Sequence, residues 1–390
     1  MIHKKISYGK QFINKKDISY VAKALSSELI SQGSHIKKFE RQLINILGCK
    51  DAISCNSGTS AIYLALLSIN LNKDDTVIMP AINFIASYNL CKLLNAKIFL
   101  ADVDPLTGQM TPDTFYQCIK LNKIKKIKAI VTMYLGGHPE NIEKFYNIKK
   151  KFSCYLIEDA CHALGSIYYF NKKLYNVGSA SHSDLCTFSL HPLKTITTGE
   201  GGVVTTNNKY LARKIYLLRS HGIEKKNDYW KYNIKLSGFN FRLSDINAAL
   251  GISQLKKIRK FVHRRNIIAD FYYRSFKSLE KYINIPTYNR HNFSSWHLFL
   301  VHLDFDKIGS TKDNFIKFMI KNKIYVQFHY IPIFYFRDIY KKDKNYKKIF
   351  PGSVSYYKTA VSLPIYYNLS SNDQNYIVKI IKKFIYSLLK

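Results

Sequence analysis

Between Asp51 and Thr206, short apolar runs rich in Val, Ile and Tyr alternate with stretches of helical periodicity. A strand buried on both faces needs no polar alternation, and joining parallel neighbours takes a crossover long enough for a helix. The pattern therefore points to a mostly parallel sheet covered by helices, an α/β architecture. Strands are expected at Ala52 to Cys55, Thr76 to Met79, Lys97 to Ala101, Ala129 to Met133, Cys154 to Ile157, Leu185 to Ser189 and Gly202 to Thr205. Helices are expected at Asp17 to Ser26, His35 to Leu47, Ala61 to Ile69, Asn208 to Arg219 and Ser244 to Arg264. Several strands end in small or polar residues, and in open α/β sheets ligands sit beyond the carboxyl ends of the strands. Past about Val262 the chain becomes richer in Tyr, Phe and Lys and turns to short mixed elements. Residues 1–261 are thus expected to form an N-terminal segment plus a large domain, and 262–390 a smaller α+β domain.

With 47% hydrophobic and 22% charged residues the chain has the balance of a globular protein, which excludes broad disorder. Met1-Ile2-His3-Lys4-Lys5 leads into polar residues rather than an apolar targeting run, and no apolar stretch is long enough to span a bilayer, so a cytoplasmic location is expected. The 7 cysteines are odd in number and form no C-x-x-C pair, which fits neither a disulfide framework nor a zinc site. No metal is expected. The net charge of +34 suits a polyanion partner, but it equally suits biased Lys, Ile, Asn and Tyr usage scattered along the chain. No basic helix, zinc finger or RNP-type motif supports the first reading, so no nucleic-acid or membrane partner is expected.

Four local features carry possible chemistry. Ser57-Gly58-Thr59-Ser60 precedes the apolar run Ala61-Ile62-Tyr63-Leu64-Ala65-Leu66, and is either a phosphate-holding turn or a plain Ser/Thr N-cap. Cys154-Tyr155-Leu156-Ile157 runs into Glu158-Asp159-Ala160-Cys161-His162, which is either a buried acid awaiting a cation or a solvated loop acid beside a structural histidine. Thr187-Phe188-Ser189-Leu190-His191-Pro192-Leu193-Lys194 delivers one lysine to a Pro-bounded, then Gly-rich loop. Such a fixed amine suits a nucleophile, although a surface lysine is the bland alternative. Gly238-Phe239-Asn240-Phe241-Arg242 precedes a well-capped helix and says nothing more on its own.

In order and spacing these pieces resemble the sugar aminotransferases of the DegT/DnrJ/EryC1/StrS family, over nearly the whole chain. The resemblance runs from Tyr8-Gly9-Lys10-Gln11 and Ser31-Gln32-Gly33 to His329-Tyr330-Ile331-Pro332 and Leu363-Pro364. It implies an aspartate-aminotransferase-like fold (PLP fold type I), pyridoxal 5'-phosphate (PLP) as cofactor, and a homodimer with shared active sites. Ser189 to Gly202, Arg219-Ser220-His221-Gly222 and Glu158 to Gly165 are especially similar to family members of the pseudaminic acid pathway. Those act on a UDP-linked 4-keto-6-deoxy-2-acetamido sugar and give the 4-amino sugar, with L-glutamate as donor. A different keto-sugar is the alternative.

By that similarity Lys194 binds the cofactor aldehyde as a Schiff base and moves the proton, while Asp159 pairs with the pyridine nitrogen. His162 matches the contact to the ring hydroxyl and Phe84 the aromatic that stacks on the ring. Gly58, Thr59, Ser60 and Ser189 match phosphate ligands, with Asn240 reaching in from the partner subunit. Tyr8, Gln32, Arg242, His329 and Tyr330 fall in segments that line the sugar-nucleotide site. Related sugar dehydratases carry His in place of the lysine, and Lys194 argues against that chemistry. A regulatory or nucleic-acid-binding descendant of the fold would have little reason to keep Lys194, Asp159 and the phosphate ligands together.

Overall fold

The computed structural model describes residues 5–225, 228, 230–336 and 345–389. The strands of the first half are β1 (Asp51–Cys55), β2 (Thr76–Pro80), β3 (Lys97–Ala101), β4 (Ala129–Met133), β5 (Tyr155–Asp159), β6 (Ile167–Phe170), β7 (Lys173–Asn176), β8 (Leu185–Ser189) and β9 (Gly202–Thr206). Apart from the β6–β7 hairpin they form one 7-stranded sheet in the order β1-β9-β8-β5-β4-β2-β3. Every strand of it runs the same way except β9, which pairs antiparallel with both β1 and β8. The strands are apolar on both faces, as in Ala129–Met133 and Gly202–Thr206, where every residue is buried.

The helices of this half are α1 (Lys15–Leu25), α2 (Ser34–Leu47), α3 (Gly58–Ser68), α4 (Ala86–Leu93), α5 (Pro112–Asn122), α6 (Ile142–Phe152), α7 (Lys209–Arg219), α8 (Asp245–Leu255) and α9 (Ile258–Phe276). On one face of the sheet Ile62 and Leu66 of α3 pack with Leu211 and Ile215 of α7. On the other, Phe39 and Leu43 of α2 pack with Ala248 and Ile252 of α8, and Phe115 of α5 with Phe145 of α6.

Three local expectations shift. Helix α3 begins at Gly58 rather than Ala61, because Ser57 Oγ accepts the Ser60 N–H at 3.0 Å and caps the helix three residues early. Strand β5 runs on to Asp159, since pairing with β4 continues through Thr132↔Glu158 and Met133↔Asp159. The helix expected over Ser244 to Arg264 is two helices. Lys257 N–H bonds Gln254 O at 2.9 Å, a tightened i−3 closure, while its ammonium is drawn to the buried carboxylate of Asp17.

After the β10 (Ile223–Lys225) and β11 (Tyr232–Ile234) hairpin comes a second antiparallel sheet of β12 (Ile283–Asn284), β13 (Phe299–Leu303) and β14 (Ala360–Leu363). Its core joins Phe299, Phe315, Ile381 and Phe384 to Ile268 and Tyr272 of α9. The two cores meet within α9, since Ile258 and Phe261 belong to the core of the large sheet. Ile6 packs into the second core, and its backbone bonds Lys323 O and Tyr325 N–H, both at 2.9 Å. That tie, with Ile365 N–H on Tyr8 O at 3.0 Å, carries Tyr8 to the cleft between the two bodies. Among the described residues no helix is long and apolar enough to cross a membrane.

Candidate active site

The carboxyl ends of β1, β2, β4, β5 and β8 converge on a cavity of about 610 Å³, closed from the second body by Gln327 to Ile331. That volume suits a small-molecule site, and the position is where open α/β sheets bind ligands.

Lys194 enters this cavity from the turn after β8. The turn is fixed by its own backbone: Lys194 N–H bonds His191 O at 2.9 Å, and Leu190 bonds Gly201 O at 2.8 Å and Thr198 N–H at 3.0 Å. Burial pushes the Lys194 ammonium below the ordinary lysine range, with Cys161 and Asp159 opposing that shift. A desolvated amine of lowered pKa is a better nucleophile.

Asp159 ends β5 at 2% exposure, and burial pushes its carboxyl up against the pull of the Cys161 N–H, 3.2 Å away, and of Lys194. No Lys or Arg of the described residues pairs with it, so it is an acid of the buried kind that awaits a cation. Its neighbour Glu158 points to the other side of the strand and accepts a 2.6 Å bond from Tyr134 Oη.

At the start of α3 the Ser60 N–H is taken by the cap, which leaves the N–H groups of Gly58 and Thr59 without an intrahelical acceptor. Both residues line the cavity, as does Ser189, while Ser60 Oγ lies 2.9 Å from Ser57 Oγ just behind them. A Cβ on Gly58 would come within 2.7 Å of Ser189 Cβ, so only glycine lets the strand end and helix start close this cradle. The N-cap and the anion cradle are thus one structure. Phe84, 50% exposed, leaves an aromatic face open on the same cavity.

His162, His329 and Tyr330 meet on the wall nearest the second body. Tyr330 Oη is 2.9 Å from His162 Nε2, Gly136 N–H is 3.4 Å from His162 Nδ1, and His329 Nδ1 is 2.9 Å from Ser362 Oγ. Burial holds His162 well below the ordinary histidine range, and His329 down at about 3. Tyr8 packs on His329 with ring centroids 5.4 Å apart.

Gln32, Asn240 and Arg242 do not reach this cavity within one chain. Gln32 and Asn240 are exposed, held by the Ser31↔Ser244 and Ser220↔Asn240 bridges, and Arg242 Nη1 bonds Ser220 Oγ at 3.1 Å. The structure adds two residues that the sequence reading missed. Asn83, 1% exposed, lines the cavity, and His297 lines it too; among the described residues neither amide atom of Asn83 is hydrogen-bonded and His297 Nδ1 has no partner. Asn83 carries no motif of its own beside Phe84, and His297 lies far from the other elements in sequence. Buried polar groups without partners are costly, which fits a site built to be completed by a bound molecule. Among the described residues no group of three or more His, Cys, Asp or Glu is placed to hold a metal ion, and all 7 cysteines are free.

A lysine amine at a strand end, an unpaired buried acid, an anion cradle and an open aromatic face fit one cofactor, PLP. Comparison with known proteins agrees: residues 11–382 match the DegT/DnrJ/EryC1/StrS aminotransferase family, and the chain belongs to it. It is a PLP-dependent sugar aminotransferase with the PLP fold type I. A Campylobacter jejuni (strain 81-176) protein named UDP-4-amino-4,6-dideoxy-N-acetyl-beta-L-altrosamine transaminase is 35% identical over 99% of this chain and 98% of its own. The Helicobacter pylori aminotransferase PseC, involved in the biosynthesis of pseudoaminic acid, superposes with a TM-score of 0.85 at 30% identity, covering 98% of this chain and 100% of its own. The PMP form of the Streptococcus pneumoniae sugar aminotransferase Spr1654 gives 0.87 at 25% identity, over 99% of each chain.

Proposed function

We propose that the protein transfers an amino group from L-glutamate to a UDP-linked 4-keto-6-deoxy-2-acetamido sugar, giving the 4-amino sugar of pseudaminic acid biosynthesis. The observation that carries the reading is the meeting of Lys194, Asp159 and the α3 cradle on one wall of the cavity with Tyr8, His329 and Tyr330 on the other. The first group is what amino transfer requires, and the second leaves room for a substrate larger than an amino acid. The similarity to altrosamine transaminases supports the choice of sugar.

When bound, PLP supplies a conjugated ring that withdraws electrons from the substrate carbon. In this reading the Lys194 amine would hold the cofactor aldehyde and, when free, would carry the proton to and from the substrate carbon. Asp159 would accept from the pyridine N–H and keep that nitrogen charged. Gly58, Thr59, Ser60 and Ser189 would hold the phosphate, Phe84 would cover the ring, and His162, with its nitrogens turned to Gly136 and Tyr330, would stand beside the ring hydroxyl without bonding it. Tyr8, Gln32, Arg242, His329 and Tyr330 take the sugar nucleotide. Asn240, Gln32 and Arg242 serve from the partner subunit of a cytoplasmic homodimer, which accounts for their distance from the cavity of their own chain.

Incubation with glutamate and a panel of UDP- and dTDP-linked keto-sugars, with spectroscopic identification of the product, tests the reading. Amination at C4 of the UDP-linked 2-acetamido sugar is expected. Amination at C3, or preference for a dTDP-linked sugar, replaces it with the alternative of another nucleotide-sugar substrate.

A further inference from the structure

His162 has one proton to place, and its neighbours decide where. Burial, with Lys194 and His329 adding to it, keeps the imidazole neutral, so the ring carries a single N–H. The Gly136 N–H facing Nδ1 at 3.4 Å can only donate, which makes Nδ1 the acceptor and leaves the proton on Nε2. Nε2 lies 2.9 Å from Tyr330 Oη, so the histidine donates and the tyrosine accepts. Tyr330 is itself kept as a neutral hydroxyl, because burial and then the Asp159 charge push its pKa well above the ordinary value. Its hydrogen is then uncommitted. Among the described residues that hydroxyl has no second partner, and Tyr330 lines the cavity beside Phe84, with ring centroids 5.7 Å apart.

A hydrogen donor is thus fixed on the wall that faces Lys194. The two carbonyl compounds of this reaction, the keto acid formed from glutamate and the keto-sugar consumed, differ everywhere except at the reacting carbon and its oxygen. That oxygen carries negative charge as nitrogen adds to the keto-sugar carbon, and again as the oxygen taken from water becomes the keto acid carbonyl while nitrogen leaves, and the Lys194 amine is engaged at carbon rather than at oxygen. We propose that Tyr330 donates a hydrogen bond to the oxygen of the reacting carbonyl in both half-reactions, with His162 as the positioning residue that sets the direction of that bond. This rests on the aminotransferase reading but not on the identity of the sugar. No covalent step is assigned to Tyr330.

The test is Tyr330→Phe in the cofactor-loaded enzyme, read in three ways: rapid mixing with L-glutamate and, separately, of the amino-loaded enzyme with keto-sugar; the pH titration of the resting visible spectrum; and UDP affinity by calorimetry. Loss of a donor to developing charge is expected to slow both half-reactions by a similar factor, about 10²-fold, with resting spectrum and UDP affinity unchanged. Slowing confined to the sugar half-reaction would make Tyr330 a sugar contact only. A shifted resting titration would place its bond on the cofactor, and rates within a few-fold of the parent would remove the role, so each of these overturns the proposal. The relay has its own check. His162→Gln keeps an N–H donor and should stay within about tenfold of the parent, whereas His162→Leu should fall to the Tyr330→Phe level, and the Leu/Phe double variant no further. Additive losses would show two independent residues. The glutamate half-reaction is readable whichever sugar the enzyme takes, so failure of the sugar assignment and failure of this proposal are separate results.

Discussion

Replacing Asp159 with Asn should move stability and activity in opposite directions. The side chain is buried, bonds one backbone N–H, and has no cationic side chain paired with it among the described residues, so without cofactor its charge is poorly compensated. Its carboxyl is held above the usual carboxylate range by burial. The sign follows: a folded-state pKa above the unfolded one gives stability that is full below the unfolded value and lost as pH rises through the folded one. Cofactor-free wild type should therefore lose stability relative to Asp159→Asn as pH rises from about 4, by ~1.4 kcal/mol for each unit of upward shift, and the gap should level off above the folded value. For a chain this long that is roughly 1–2 °C in Tm per kcal/mol, within reach of scanning calorimetry. With cofactor bound the balance reverses, since an amide cannot hold a charged pyridine nitrogen and the electron sink weakens. Removing a preorganised charge of this kind costs on the order of 3–5 kcal/mol in the transition state, a fall of roughly 10²- to 10⁴-fold in kcat/KM. Turnover within about tenfold of the parent, only ~1.4 kcal/mol, would refute the pyridine-nitrogen role. A pH-independent Tm gap in the cofactor-free proteins would refute the uncompensated buried charge.

The loaded protein should be yellow, and Lys194→Ala should lose the visible band and turnover together, as an absorption spectrum and a transamination assay will show. Gly58→Ala should weaken PLP binding by about tenfold or more in a spectrophotometric titration, because the new methyl meets Ser189 Cβ at 2.7 Å and spreads the cradle. If Asn240 completes the partner's site, mixing Lys194→Ala with Asn240→Ala protein should restore part of the activity through dimers holding one intact site. No recovery in dimers shown to exchange subunits would remove the shared site.

The central sheet was readable because its physics is local. A strand buried on both faces shows as an uninterrupted apolar run, and each of the seven expected runs is a strand of the sheet within two residues at either end. The errors came where a distant partner or a single hydrogen bond sets a boundary. The long helix breaks where the Lys257 N–H closes on Gln254 O and its ammonium pairs with Asp17, which lies far away in sequence, and Ser57 starts α3 early with its hydroxyl alone. The β6–β7 hairpin and the membership of Ile6 in the second core depend on contacts that no local pattern announces.

The site divides in the same way. Asp159, Gly58 and Ser189 each sit at the end of a strand or the first turn of a helix, and Lys194 in the turn that follows β8, so the ordered motifs that carry the family resemblance could point to them, and the parallel sheet then gathers those ends along one edge. The opposite wall is assembled from Tyr8, His297 and the Gln327 to Ile331 segment, brought together through the second body and the N-terminal segment that pairs with it, with His162 of the large domain against them. Nothing in the local sequence of Ser294-Ser295-Trp296-His297 marks its histidine, because what sets it apart is an Nδ1 without a partner among the described residues, beside His162, 4.2 Å away between ring centroids. On the proposed roles, cofactor chemistry is written into strand ends and the turns beside them, while substrate choice is spread over the contact between two bodies and, in the proposed dimer, a second chain. Changes at the strand ends should abolish amino transfer for every sugar. Changes along the opposite wall can redirect it, which is how one fold and one lysine serve many keto-sugars.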